Sequence, residues 1–191
     1  MWFDTYISGI NNARIILEDE NAGELVRGVA EILRGTLFAD MALLYGDVPY
    51  SQASKADEFP EPAYDNQATV VEASLNLIQA GISKVGEASI TAGFGGNRLA
   101  GSTWKEAGNT LAARYSLSTG NYSAAISFAN QGISARANDL VTLHGTSQEN
   151  RNLYYQFIID ERQDYLVATD SYLVQLLDGR VTRSLNTPGI T

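Results

Sequence analysis

One histidine, His144, lies in the polar run His144-Gly145-Thr146-Ser147. A hydrolytic centre built on it would need a nucleophile for it to serve and a third group to orient the ring. Neither a Gly-x-Ser-x-Gly elbow nor a His-Glu-x-x-His zinc pair accompanies it. Zero cysteines remove thiolate nucleophiles, thiolate metal sites and disulfides. Paired carboxylates are the other catalytic option, because glycoside hydrolysis asks only for two acids at a set separation. Asp47 and the acids Asp57, Glu58, Glu61 and Asp65 are the candidates, although acids grouped in a loop are ordinarily solvated. With Asn66 they also offer oxygen ligands for calcium, but without the alternating Asp spacing of an EF-hand loop. The residues point to no enzyme, no cofactor and no metal centre.

Aromatic side chains in loops support a different chemistry. Sugars present flat apolar faces that stack on aromatic rings, while amides and acids bond their hydroxyls. Tyr50, Phe59, Tyr64, Phe94 and Asn97 have the types and placement for a saccharide site. The run Gly93-Phe94-Gly95-Gly96-Asn97 would cradle phosphate only between a strand and a helix, and no strand pattern precedes it. Trp2 and Trp104 fall on apolar helix faces and read as core.

These residues are carried by a chain whose dominant pattern is helical. Phe3, Tyr6, Ile10, Ala13 and Leu17 share one face of a helix over residues 2 to 18. Val26, Val29, Ala30, Leu33, Leu37, Met41 and Leu44 make a broad stripe on a central helix over 22 to 45, with Asn21 and Glu24 as a capping-box variant at its start. That helix stops at Tyr45-Gly46-Asp47-Val48-Pro49-Tyr50, where Gly46 suits a positive φ and Pro49 cannot continue a helix. Residues 51 to 66 read as a long surface loop pinned by Tyr50, Phe59 and Tyr64.

Val71, Leu75, Ile78, Ile82 and Val85 then predict a helix over 67 to 85, and a glycine-rich loop follows over 86 to 102. Thr103 and Glu106 form a capping box for a helix that buries Trp104, Ala107, Leu111 and Tyr115. After the break at Ser118-Thr119-Gly120, Asn121 caps a helix with Tyr122, Ile126, Ala129 and Ile133 on one face and with Ala124, Ala125 and Ala129 small enough for close helix contact. The pair has the texture of a tetratricopeptide hairpin, with Gly120 about one residue late. Tyr154 to Ile159 is an apolar patch, strand or helix. A last helix is expected from about Glu161 to Leu177, burying Tyr165, Leu173, Leu176 and Leu177, before a loosely held tail over 178 to 191.

At 191 residues the chain fits one helical domain, all-α, with tetratricopeptide-like hairpins around a central helix and long irregular loops. No apolar run approaches the roughly 20 residues of a membrane span. A formal charge of −9 argues against nucleic acid, which is held by clustered Lys and Arg. Met1-Trp2-Phe3-Asp4 has neither the basic segment nor the apolar core of a signal peptide. Without a leader or a lipid-bearing cysteine, the chain reads as part of a longer protein, the alternative being a short intracellular protein that simply starts there.

Several pieces taken in order resemble the SusD-like (RagB/SusD) outer-membrane nutrient-binding lipoproteins. They are Trp2-x3-Tyr6-x3-Ile10-Asn11-Asn12, the run from Glu31-Ile-Leu-Arg34 to Tyr45-Gly46-Asp47-Val48-Pro49, Tyr64-Asp65-x-Gln67, Trp104-Lys-Glu-Ala107-x3-Leu111-Ala-Ala-Arg114-Tyr115, and Gly120-x-Tyr122-x2-Ala125. The segment from Tyr154-Tyr-Gln-Phe157 to Leu177 looks like the starch-binding, outer-membrane-associated branch. The resemblance implies an all-helical, non-catalytic protein on the cell surface that binds an oligosaccharide or other nutrient and delivers it to a SusC-like TonB-dependent transporter. It also implies attachment to the outer membrane through a lipid anchor, for which this chain has no residue. It places no ligand contact on any position here. A tetratricopeptide-like module that binds other proteins, with no small ligand, is the competing reading.

Overall fold

The computed structural model describes residues 2–91, 99–147, 150–163 and 172–177. The chain divides into two compact units, Met1–Thr142 and Leu143–Thr191.

In the first unit the opening helix runs as α1 (Trp2–Asp4), a π-helical turn (Thr5–Ile10) and α2 (Asn11–Glu18) without leaving helical dihedrals at the joints. Its buried side is carried by Ile10 and Ala13, while Phe3 is exposed. The wide turn shifts the phase of the helix, so a regular 3.6-residue count from Ile10 back to Phe3 does not hold. α3 (Glu24–Tyr45) begins at Gly23, which makes no side-chain cap. Asn21 instead donates its backbone N–H to Asp19 at 2.9 Å, so the Asn21/Glu24 capping box expected from sequence is not formed.

α3 is the central element, contacting α2, α4 (Gln67–Val85) and α5 (Trp104–Ser118). Having neighbours on several sides gives it a wide buried arc through Val29, Ala30, Ile32, Phe38, Ala39, Met41 and Ala42. The expected stripe is partly displaced: Leu33 and Leu44 are exposed, while Ile32 and Phe38 are fully buried. Glycines set the approach of α3 to α4. A Cβ on Gly28 would stand 2.9 Å from the Gly81 carbonyl oxygen, and one on Gly35 would stand 2.7 Å from that of Ser74. An ion pair between Lys84 and Glu31 joins the same two helices.

α5 starts at the expected capping box, with Thr103 and Glu106 bonded reciprocally. Trp104, Ala107 and Tyr115 are buried as the spacing requires. The Tyr115 hydroxyl donates to Asp40 Oδ1 at 3.0 Å, and Arg114 reaches the same oxygen at 2.9 Å, tying α5 to α3. α6 (Tyr122–Ala129) is capped by Asn121 and packs on α5, completing the hairpin. It turns Ala125 and Phe128 inward and leaves Tyr122 and Ile126 65% and 64% exposed, the reverse of the expected face. The small Ala125 sits at the contact, which is what close helix approach selects. Two short strands, β1 (Leu99–Ala100) and β2 (Val141–Thr142), pair antiparallel in an otherwise helical unit.

The second unit contains α7 (Leu153–Tyr155), capped by Asn152 and continued by a π-helical turn over Gln156–Glu161, then α8 (Tyr172–Leu177). The apolar patch at 154 to 159 is therefore helical. Arg162, at φ −137 and ψ 62, breaks the helix where one was expected to begin. The expected burial of Tyr165, Leu173, Leu176 and Leu177, and the tail over 178 to 191, lie outside the described residues. Among the described residues no helix is long and apolar enough to cross a membrane.

Candidate functional site

Two motifs separated by the long loop lock together to build the site. Gly46 ends α3 at φ +83 and ψ −127, a conformation that residues with a Cβ rarely adopt. The chain then runs through fully buried Val48, which exchanges both backbone hydrogen bonds with Asp65, at 3.2 and 3.0 Å. Asp47 accepts the backbone N–H of Gln67 at 2.9 Å, satisfying one of the free donors at the start of α4. The Gln67 side chain donates back to the Ala42 carbonyl at 2.8 Å.

The Asp65 carboxylate accepts the backbone N–H groups of Tyr50 and Ser51, each at 2.9 Å, and the Ser51 hydroxyl. Desolvation pushes the Asp65 pKa upward. The hydrogen bonds from Ser51 and Tyr50 outweigh it, and the carboxyl is held below its ordinary value. Both ends of the loop are thus fixed against the end of α3.

So held, the loop faces the opening helix across a cleft of about 350 Å³. Trp2, Tyr6, Ile7 and Asn11 line one wall, and Pro49, Gln52 to Ala56, Phe59, Pro60 and Pro62 line the other. Tyr6 bridges the walls at their base, its hydroxyl donating to the Pro49 carbonyl at 2.7 Å. Burial, reinforced by Tyr64 and Asp65, raises the pKa of this phenol well above its ordinary value and keeps it neutral. Ser54 takes φ 60, and the Phe59 N–H returns to the Lys55 carbonyl at 2.7 Å, closing the turn that presents Lys55 and Phe59.

An aromatic cluster supports the cleft. Trp2 meets Tyr6 at 5.2 Å, Tyr45 edge-on at 4.9 Å and Tyr64 in a stacked arrangement at 6.4 Å between ring centroids. Behind it Phe38 packs against both Tyr6 and Tyr50. These ring contacts back the helix side of the cleft.

Of the residues expected to bind a ligand, Phe59 lines the cleft and Tyr64, 65% exposed, lies behind Trp2. Tyr50 points its ring against Phe38, and burial raises its phenol pKa. Phe94 and Asn97 lie outside the described residues. Trp2, assigned to the core from its spacing, is half-buried and lines the cleft; Trp104 is core, at 4% exposed. Tyr6, Asn11, Gln52 and Lys55 were not singled out by sequence. The i to i+4 step from Trp2 to Tyr6 was a usable signal, since two large aromatics on a helix can wall a groove as well as fill a core.

Catalytic alternatives find little support in the geometry. Asp47 and Asp65 are engaged with backbone N–H groups. Among the described residues no three His, Cys, Asp or Glu side chains gather as a metal site. Within the second unit His144 borders an open hollow of about 430 Å³ with Gly145, Thr146, Arg151, Asn152 and Tyr155. Among the described residues no carboxylate lines it to orient the imidazole, and Arg151 is committed to Asp160 at 2.8 Å.

A family model described as SusD-like, starch-binding associating with outer membrane, matches residues 1–188. Among solved structures, the crystal structure of a SusD/RagB family protein from Bacteroides thetaiotaomicron VPI-5482 is similar in fold, with a TM-score of 0.65 at 20% identity. The match covers 84% of this chain and 36% of that chain. No curated protein matches.

Proposed function

The chain belongs to the SusD-like family of starch-binding proteins associated with the outer membrane, and on that premise we propose that it captures an oligosaccharide at the cell surface for delivery to a SusC-like TonB-dependent transporter. The observation that carries this reading is the cleft between the opening helix and the loop: Trp2, Tyr6 and Phe59 with amide and hydroxyl groups at the rim. Flat apolar surface edged by hydrogen-bonding groups is what a pyranose ring requires. Binding proceeds without bond breaking, the walls being backed by the rings around Trp2 and by the anchored loop. Attachment to the outer membrane and docking to the transporter are part of the same proposal; the likeness to the SusD/RagB structure spans 36% of that chain.

Isothermal titration of the chain with neutral and acidic oligosaccharides tests this. The expected result is saturable binding to at least one, weakened roughly tenfold by Phe59→Ala, the equivalent of about 1.4 kcal/mol. Silence across the panel, or binding indifferent to Phe59→Ala, contradicts it. The protein-interaction reading is favoured by one feature, the exposed Leu117, Tyr122 and Ile126 at the α5–α6 turn and along α6.

A further inference from the structure

The cleft's polar rim is unusual in what its side chains have left to offer. Asn11 Oδ1 accepts from Arg14 Nε and Nη2 at 3.3 and 3.1 Å. A guanidinium only donates, so the amide orientation of Asn11 is fixed and its NH₂ is the group turned to other uses. Gln52 Oε1 accepts the backbone N–H of Ala63 at 2.8 Å, which fixes its orientation in the same way and leaves its NH₂. The Tyr6 proton is already given to Pro49, leaving a phenol lone pair.

Lys55 adds an ammonium, a donor only, and makes no ion pair among the described residues. Ser54 can donate or accept. The loop acids Asp57, Glu58 and Glu61 are not among the lining residues. The rim thus carries two amide NH₂ groups and one cation beside the Tyr6 lone pair and the Ser54 hydroxyl; both lone pairs of Asn11 Oδ1, and one of Gln52 Oε1, are used inside the protein.

A neutral glucan presents hydroxyls, which both donate and accept and are served best by a rim that mixes the two. Here donors and a positive charge outnumber the acceptors, which are the Tyr6 lone pair and the Ser54 hydroxyl, and that balance is matched by a ligand that brings acceptors and a negative charge. Building on the saccharide reading above, we infer that this cleft is selective for an acidic saccharide, a chain of sugar acids whose ring lies on Phe59 and Trp2 while its carboxylate meets Lys55 and the amide NH₂ groups of Asn11 and Gln52. Each wall then supplies both kinds of contact: Trp2 and Asn11 from the opening helix, Phe59, Lys55 and Gln52 from the loop.

Trigalacturonate and maltotriose, matched in length and different in charge, test this by calorimetric titration of the full chain. Trigalacturonate is expected to bind more tightly, to weaken roughly tenfold in Lys55→Met, to recover in Lys55→Arg, and to weaken as salt is raised. Maltotriose is expected to be indifferent to Lys55→Met. Lys55 is exposed, and helical circular dichroism of each variant confirms that the fold is kept. If maltotriose binds as tightly as trigalacturonate and loses affinity with Phe59→Ala, acidic selectivity is overturned while saccharide capture stands. If neither sugar binds, or neither responds to Phe59→Ala, both fall together.

Discussion

Asp65 closes the loop by accepting the backbone N–H of Ser51 at 2.9 Å with one carboxylate oxygen and the Ser51 hydroxyl at 2.9 Å with the other. With the Tyr50 N–H on the same carboxylate, these bonds favour its charged form and hold its pKa below the ordinary value of 3.8. A carboxyl depressed on folding contributes stability that is full above the unfolded pKa and is lost as pH falls through the folded one. Wild-type stability should therefore drop more steeply below about pH 4 than that of Asp65→Asn. Urea unfolding followed across pH 2 to 7 (about that range) measures it; parallel curves for the two proteins would remove Asp65 from the account.

The α3–α4 interface depends on missing side chains. A Cβ on Gly81 would press into the Gly28 carbonyl oxygen and Ile32, closer than any real Cβ contact. Gly81→Ala should destabilise the chain by about 1–3 kcal/mol, although alanine is the better helix former. Chemical denaturation gives the sign. A stabilised variant would mean that the helices are not packed this closely.

Tyr6, Tyr50 and Tyr115 all have phenol pKa values raised, in each case chiefly by burial. For Tyr115 the adjacent Asp40 charge adds to it. Raised phenols contribute stability that is whole below the unfolded pKa near 10 and lost as pH rises toward the folded values. An ultraviolet titration should show these three of the ten tyrosines ionising late, together with unfolding. Ionisation of Tyr6, Tyr50 and Tyr115 near pH 10 (roughly the free value) in folded protein would contradict the burial described. Tyr115→Phe, which loses a hydrogen bond to a charged partner, should cost about 1.5–3 kcal/mol.

Much of this architecture was legible in the sequence. Helix α4 was legible from Gln67 to Val85 because its apolar residues step regularly; the Asn66 cap emerges only in the structure. The Thr103–Glu106 box is a local signal, complete within four residues. Gly46 and Pro49 marked the end of α3 for the same reason. What escaped was set by tertiary packing. Phe38 and Ile32 are buried because α3 has partners on several sides, and an averaged stripe cannot register that.

In α6, Tyr122 and Ile126 share a face with the right period, yet the smaller Ala125 makes the contact. At the cleft, Phe59 was singled out by its chemistry and lines the wall, but Trp2 looked like core because one half of its surroundings arrives from a loop some fifty residues later. Gln52 carries no sequence signal, and Asn11 stands in a family-like motif without any sign of a binding role. Their role depends on which end of each amide the protein already uses.

The most direct test of the cleft uses its own tryptophan. The chain has two, so Trp104→Phe leaves Trp2 as the sole indole reporter. Titrating this variant with the oligosaccharide that binds most tightly in calorimetry should produce a saturable change in Trp2 emission with the same affinity, and Phe59→Ala should weaken both roughly tenfold. Binding that leaves Trp2 emission unchanged would place the ligand elsewhere and contradict the account.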